Sequence, residues 1–302
     1  MHVSSRHVLR QGPMLATLGK TAVRALAQRV RATHRPGPVR FVTPGPEIRR
    51  RVAPLPSSLL DEYIAHVGGD ARAYRGIVPP HFFPHWALPL AAETLRPLPY
   101  PIMRVVNAGC RMRITAMLPR DEPLEVRAQL AHVDDDGHRA LITERIITGT
   151  ASVPDALHVE IYAFVPLRSK GPGDGAGEKR EKPRVPQGAR EIAFDKLPSD
   201  AGLSFAKLTG DFNPIHWVPA YAKAAGFRNV ILHGFGTFAR SYEGLVRGLF
   251  GGDVRKLKQL DAKFTRPLVL PHSIGVYVRQ REVYVGDGIE GPAYMTGQFE
   301  AV

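Results

Sequence analysis

Residues Phe205 to Ala222 read FAKLTGDFNPIHWVPAYA. Within them GDFNPIH (Gly210–His216) gathers a Gly-Asp pair, an Asn-Pro pair and a His into seven residues. Asp, Asn and Pro favour turns and interrupt regular structure, yet apolar, helix-like residues stand on both sides. Taken alone, Asp-x-Asn-Pro is compatible with a simple turn or a helix cap. A carboxylate and an imidazole five residues apart at a rigid turn can also orient and deprotonate a water. Pro214 locks φ just before His216, Gly210 permits a tight backbone, and the Asn213 amide can hold either a water or the turn itself. Further on, LHGFGTF (Leu232–Phe238) puts Gly234 at an expected helix start. The free N–H groups of a helix N-terminus can stabilise an oxyanion. The two segments together contain a water-activating pair and an anion trap.

Working outward, Tyr221 to Phe250 holds helical candidates broken by Gly226 and Gly234, followed by the strand-like runs LDAKFTRPLV, SIGVYVRQREVYV and AYMTGQFEAV. The earlier part of the chain offers CRMRITAML, LEVRAQLAHV, RALITERIITGTAS and HVEIYAFVPL, with the period-two alternation of strands. Each half therefore reads as a helical segment followed by an antiparallel meander, in which a curved sheet wraps a helix. LEVRAQLAHV from Leu124 and VYVRQREVYV from Val276 resemble each other at an offset of 152 residues. The same offset brings Leu118-Pro119 onto Leu270-Pro271, His81 onto His233, and Phe82 onto Gly234. A period this long suggests a duplicated unit, two similar halves in one chain.

RSKGPGDGAGEKREKPRVPQGAR, residues 168–190, is rich in Gly, Pro and charge and has little to bury, so it reads as an exposed linker. The expected organisation is a basic extension over 1–50, one half over 51–167, the linker, and a second half over 191–302. The extension carries most of the charge asymmetry. Eight basic residues and no acid lie before Glu47, so of the net +13 only +5 remains for the other 256 residues. The body is mildly basic, which argues against a nucleic-acid partner. MLATLGKTAVRALAQRV from Met14 has roughly helical apolar spacing with basic residues between. An organellar transit peptide, a helix packed on the body, and a helix on an anionic surface all fit it.

Of 302 residues 44% are hydrophobic, enough for a sizeable core. No apolar run approaches the ~20 residues needed to span a bilayer. The single cysteine, Cys110, excludes an internal disulfide and a cysteine-built zinc site. The His residues outside the turn, His81 and His85 among them, show no metal-ligand spacing. Phe82, Phe83, Trp86 and Trp217 read as core or tunnel lining, and Asp134 to Asp136 as a hairpin turn.

The aromatic at Phe205, with Leu208, Thr209, Gly210-Asp211, Asn213-Pro214, Ile215, His216 and Ala222, resembles the hydratase-2 motif of MaoC-like dehydratases, the R-specific enoyl-thioester hydratases. The His233-Gly234 pair follows at that family's usual place, and KFTRPLVLP resembles the strand after its central helix. The match covers about 205–285; the first half resembles the family by general pattern only. The resemblance implies an α+β double hotdog, two curved antiparallel sheets each wrapping a central helix, with one active site per chain because the first half has no GDxNPxH. It implies reversible hydration of trans-2-enoyl thioesters, or dehydration of (R)-3-hydroxyacyl thioesters, in fatty-acid metabolism. In that reading Asp211 and His216 are catalytic, Asn213 and Gly234 hold water and enolate oxygen, and Lys263 and Arg266 meet substrate phosphates. In some relatives a Ser along the helix after the HG supports the Asp; here Ser241 or Tyr242 falls near that place. No metal and no cofactor is expected beyond coenzyme A or phosphopantetheine carried by the substrate. The expected partners are acyl-CoA or an acyl carrier protein (ACP), without nucleic acid or stable membrane insertion, and with a possible homodimer. The expected location is cytoplasmic, or mitochondrial if the extension is a transit peptide. The alternatives are a non-catalytic acyl-thioester-binding hotdog protein and a hotdog thioesterase.

Overall fold

The structure is a computed structural model that describes residues 3–10, 42–100, 105–167 and 181–302. The amphipathic stretch from Met14 and linker residues 168–180 lie outside them. In the first half β1 (Ile48–Val52), helix α1 (Ser57–His66) and helix α2 (Pro84–Thr94) precede a meander of β2 (Val106–Ile114), β3 (Leu124–Asp135), β4 (Arg139–Gly149) and β5 (Leu157–Pro166). In the second half β6 (Arg190–Leu197), α3 (Ala201–Thr209), α4 (Pro219–Ala224) and α5 (Gly234–Leu249) precede β7 (Leu257–Phe264), β8 (His272–Arg279), β9 (Glu282–Gly286) and β10 (Ala293–Ala301).

The strand order is β1-β3-β4-β5-β2-β7-β10-β9-β8-β6, the second half repeating the first in reverse. The expected two sheets are joined edge to edge into one ten-stranded antiparallel sheet, because β2 pairs with β7 from Gly109↔Lys263 to Arg113↔Gln259. The strands show the alternation that the sequence carries; in β5 every second residue from Leu157 to Val165 is buried. Alternation also hid a corner. SIGVYVRQREVYV is a hairpin, β8 and β9, turning at Gln280 with φ of 56°. Its resemblance to LEVRAQLAHV therefore does not mark equivalent strands, since Leu124–Val133 is continuous within β3.

Helix α5 is buried without a break from Phe235 to Val246. A helix buried all round is the core of its half. In the first half the equivalent position is taken by a 3-10 turn, Pro80–Phe82, running into α2, which carries Pro89 inside it. The two central elements meet across the molecule. Phe83 packs edge-on against Phe235 at 5.1 Å and Phe238 at 6.2 Å. Beside them Glu243 of α5 accepts from the Tyr74 hydroxyl (2.7 Å) and lies 2.9 Å from His81 Nε2, all buried. Polar groups so enclosed are tolerated because they satisfy one another.

Two bridges correct the register of the internal repeat. Ile77 pairs with Pro119 and Ile231 with Val269. Val78 donates to the Leu118 carbonyl and Leu232 to the Leu268 carbonyl, each at 2.8 Å. The matching segments are thus 40 residues apart in one half and 36 in the other, so no constant offset registers both. Pro79 and Pro80, not His81 and Phe82, stand opposite His233 and Gly234. The first half lacks the anion trap for a firmer reason than expected: proline has no N–H to offer.

The end of the expected linker is packed rather than loose. Val185 is buried against Tyr277 and Ala293, its N–H donates to the Gly291 carbonyl, and Arg184 bridges to Pro292. Near the other end of the chain Val3 and His7 are also buried, and the Arg6 guanidinium meets Glu62 of α1 at 3.1 Å. Among the described residues no helix is long and apolar enough to cross a membrane.

Candidate active site

Helix α3 stops at Gly210, whose φ of 86° sits in the left-handed region and whose N–H returns to the Ala206 carbonyl. The chain then folds on itself. Asp211 Oδ1 accepts from the Asn213 N–H at 3.4 Å, and Asn213 Oδ1 accepts from the Ile215 N–H at 3.3 Å. Asn213 thereby caps the 3-10 turn Pro214–His216, with Pro214 first inside it. Asn213 is exposed and spends its side-chain oxygen on the turn. Trp217 closes the loop by donating from Nε1 to the Phe212 carbonyl.

His216 Nδ1 lies 2.9 Å from the Ile231 carbonyl. A carbonyl only accepts, so Nδ1 carries the proton and Nε2 keeps its lone pair. His233 Nε2 lies 2.9 Å from the main-chain carbonyl of Asp211 and 3.9 Å from its Oδ2. The His216 and His233 rings stack at 3.6 Å between centroids. One ligating atom from each of Asp211, His216 and His233 lies within 4.8 Å of the others. Stacked, nearly parallel imidazoles send their in-plane lone pairs side by side rather than to one point, and one nitrogen of each ring is already spent on a carbonyl. The cluster sets one carboxylate beside two imidazoles.

Burial draws the His216 pKa below the ordinary imidazole range, with the Asp211 charge opposing it. Burial and then the His216 ring push His233 further down. Both imidazoles are therefore neutral near pH 7. The Asp211 side chain keeps 22% of its surface, so its carboxylate is reachable from solvent. Two surface cavities of about 650 and 380 Å³ lie elsewhere, at the β8–β9 turn and along β1.

Gly234 is the first residue of α5, so its N–H belongs to the first turn and has no carbonyl within the helix to meet. A Cβ there would sit 2.6 Å from the Phe264 ring; only glycine lets the helix start approach β7 so closely. The first turn is also tied across the halves. Buried Arg240 donates to the Gly236 carbonyl at 3.2 Å and to the His66 carbonyl, at the end of α1, at 2.9 Å. Burial, then the Arg240 charge, takes the His66 imidazole down to about 3.

The structure thus brings Asp211, His216 and Gly234 together, with His233 as an addition, and separates the other expected residues. Phe264 faces Gly234, so Lys263, one position earlier on β7, points to the opposite face of the sheet, where it is exposed. Arg266 donates to the carbonyls of Lys182 and Pro183 and ties down the end of the linker. Neither helix residue weighed as a support for Asp211 reaches it. Ser241 donates to the Phe238 carbonyl and Tyr242 to the Val254 carbonyl. Gly202, which the motif did not single out, is indispensable: a Cβ on it would run into the main-chain carbonyl of His216.

A paired sheet of this order around a buried central helix defines a double-hotdog fold, with the Asp-His turn and the glycine helix start in its second half. Residues 180–294 match the model of the MaoC like domain. The second half of the chain is thus a MaoC like domain, and the chain is similar to MaoC-like hydratases and dehydratases. It is 28% identical over 177 residues to 3-hydroxyacyl-thioester dehydratase Y of Mycobacterium tuberculosis, covering 57% of this chain and 60% of that protein. It is 25% identical over 167 residues to the probable enoyl-CoA hydratase 2 of Dictyostelium discoideum, covering 54% and 56%. The matched segment thus spans little more than half the length of these relatives. The crystal structure of HtdX of M. tuberculosis superposes with a TM-score of 0.67 at 18% identity, over 85% of this chain and all of that one. A further M. tuberculosis protein described as a double hotdog superposes at 0.57 with 15% identity, over 86% and 96%.

Proposed function

We propose that the chain catalyses the reversible hydration of trans-2-enoyl thioesters, in reverse the dehydration of (R)-3-hydroxyacyl thioesters, as a hydro-lyase. The carrying observation is the Asp211 carboxylate grouped within 4.8 Å of the His216 imidazole, whose Nε2 is left open by the Nδ1 bond to Ile231, with the helix start at Gly234 following His233 in the chain. The pair holds one water and takes a proton from it as the oxygen bonds to C3. The C2=C3 electrons move toward the thioester carbonyl, whose oxygen accepts from the Gly234 N–H as charge develops. The pair then returns a proton to C2, and no redox equivalent is consumed. Because the two groups face each other closely, the proton is assigned to the pair rather than to either member.

Asn213 contributes by fixing the turn. The substrate's thioester carrier is coenzyme A or an acyl carrier protein. No substrate contact is assigned to Lys263 or Arg266, given where their side chains go. The names of the relatives, which include an enoyl-CoA hydratase and a 3-hydroxyacyl-thioester dehydratase, support this reading. The test is a spectrophotometric hydration assay on enoyl-CoA substrates of increasing length, with product stereochemistry determined. The (R)-3-hydroxyacyl product is expected. Release of free thiol without hydration would point instead to a thioesterase.

A further inference from the structure

We propose that His233 is a positioning residue that sets both members of the water-holding pair and the anion trap in one register; this rests on the hydratase reading above. Three contacts carry it. The face of the His233 ring lies on the face of His216, 3.6 Å between centroids and 27° between planes. Its Nε2–H reaches past that ring to the main-chain carbonyl of Asp211 at 2.9 Å. Its own backbone is the N-cap of α5, so the next N–H along the chain is that of Gly234. One side chain therefore touches both residues of the pair, and one peptide step separates it from the oxyanion donor.

The His233 ring has a second aromatic neighbour: it meets the Phe205 ring at 4.8 Å, tilted by 38°. Phe205 is fully buried on α3, the same helix that ends in the catalytic turn. The aromatic that opens the motif thus acts on His216 through His233. The ring is 1% exposed and its Nδ1 has no partner among the described residues. A buried nitrogen left with only its lone pair is what a ring retained for its other nitrogen and its face would show. His233 does not meet the reacting atoms; it acts through the groups that do.

The test uses the full chain with His233→Phe, which keeps a ring face and loses the donor, and His233→Gln, which keeps a donor and loses the face. In histidine-labelled protein the Hε1 resonance of His216, assigned from its loss in His216→Ala, should be displaced upfield by the stacked ring. That displacement should persist in His233→Phe and collapse in His233→Gln. An unchanged His216 resonance in His233→Gln overturns the stack, whatever the substrate proves to be. In the hydration assay each variant should lower kcat by about 10- to 100-fold, the cost of small misplacement at a reacting centre, with KM held within about twofold. In a His216→Ala background, His233→Phe should cost less than about twofold more. Wild-type kcat in both variants, or a full additional loss in the His216→Ala background, overturns the positioning role. If the wild type hydrates no enoyl thioester, the proposed function falls while the resonance arm still decides the geometry.

Discussion

A Cβ on Gly202 would occupy the space of the main-chain carbonyl of His216. The Asp-His turn rests directly on the second residue of α3, backbone against backbone. A backbone obstacle cannot rotate away as a side chain can. Gly202→Ala must displace either the helix or the turn. We expect kcat for hydration to fall by about 100-fold and stability to fall by about 1–3 kcal/mol, as for other overpacked sites. Turnover and thermal unfolding of the variant measure both, and wild-type kcat would show that the turn does not depend on this contact.

Asp211→Asn and His216→Ala test the pair itself. Each removes a proton-handling group, and such groups contribute about 10² to 10⁴ in rate. The Asp211 side chain is partly exposed and its main-chain contacts are kept by Asn. Asp211→Asn is expected to unfold near the wild-type temperature and His216→Ala below it, since the stacked ring and its bond to Ile231 are lost, and both should lose most hydration. Near-normal turnover in either refutes the assignment.

The motif was legible because its chemistry is local: Gly210, Asp211, Asn213, Pro214 and His216 shape one turn through neighbours two or three residues away. Strand alternation gave the meander of each half for the same reason. What escaped depends on contacts that are distant in the chain. Lys263 was misplaced because its face of the sheet is set by Phe264 packing on Gly234, thirty residues earlier. Gly202 looks like a helix-weakening residue until His216 is laid on it. Arg240 and Glu243 are buried charged residue types on α5, each enclosed by partners from the first half that only the fold brings near, His66 for one and Tyr74 and His81 for the other. The joining of β2 to β7 is a pairing between halves that neither strand announces.

The pH dependence follows from His216. Its folded pKa is lowered by burial, so the imidazole is neutral at pH 7 and protonates only below the ordinary range near 6.5. Its Nε2 accepts a proton only while neutral. On the acid side, kcat/KM for hydration should hold from pH 7.5 to about 6.5 and decline below it. An acid limb whose midpoint lies above pH 7 would contradict a buried neutral imidazole as half of the pair.

Glu144 of β4 offers a prediction about the fold alone. It is buried, and burial lifts its carboxyl to about 8 even though a hydrogen bond with Thr94 opposes the shift. The geometry agrees. Thr94 Oγ1 lies 2.5 Å from Glu144 Oε1 and 2.9 Å from the Ala91 carbonyl. A hydroxyl has one proton, and the carbonyl can only accept. The one Thr94 proton is shared between the Glu144 carboxyl and the Ala91 carbonyl, which is little to set against the burial of the acid. The folded state thus holds a proton that the unfolded chain releases near pH 4.5. Wherever the native state binds more protons, stability falls as pH rises. The loss should run from about pH 4.5 to about pH 8 and then level off. Glu144→Gln keeps an acceptor for Thr94 and cannot ionise. It should unfold at nearly the wild-type temperature at pH 5 and above it at pH 9, by the few kcal/mol that a shift of this size represents at about 1.4 kcal/mol per unit. Parallel pH–stability curves for the two proteins would mean that Glu144 is ionised in place.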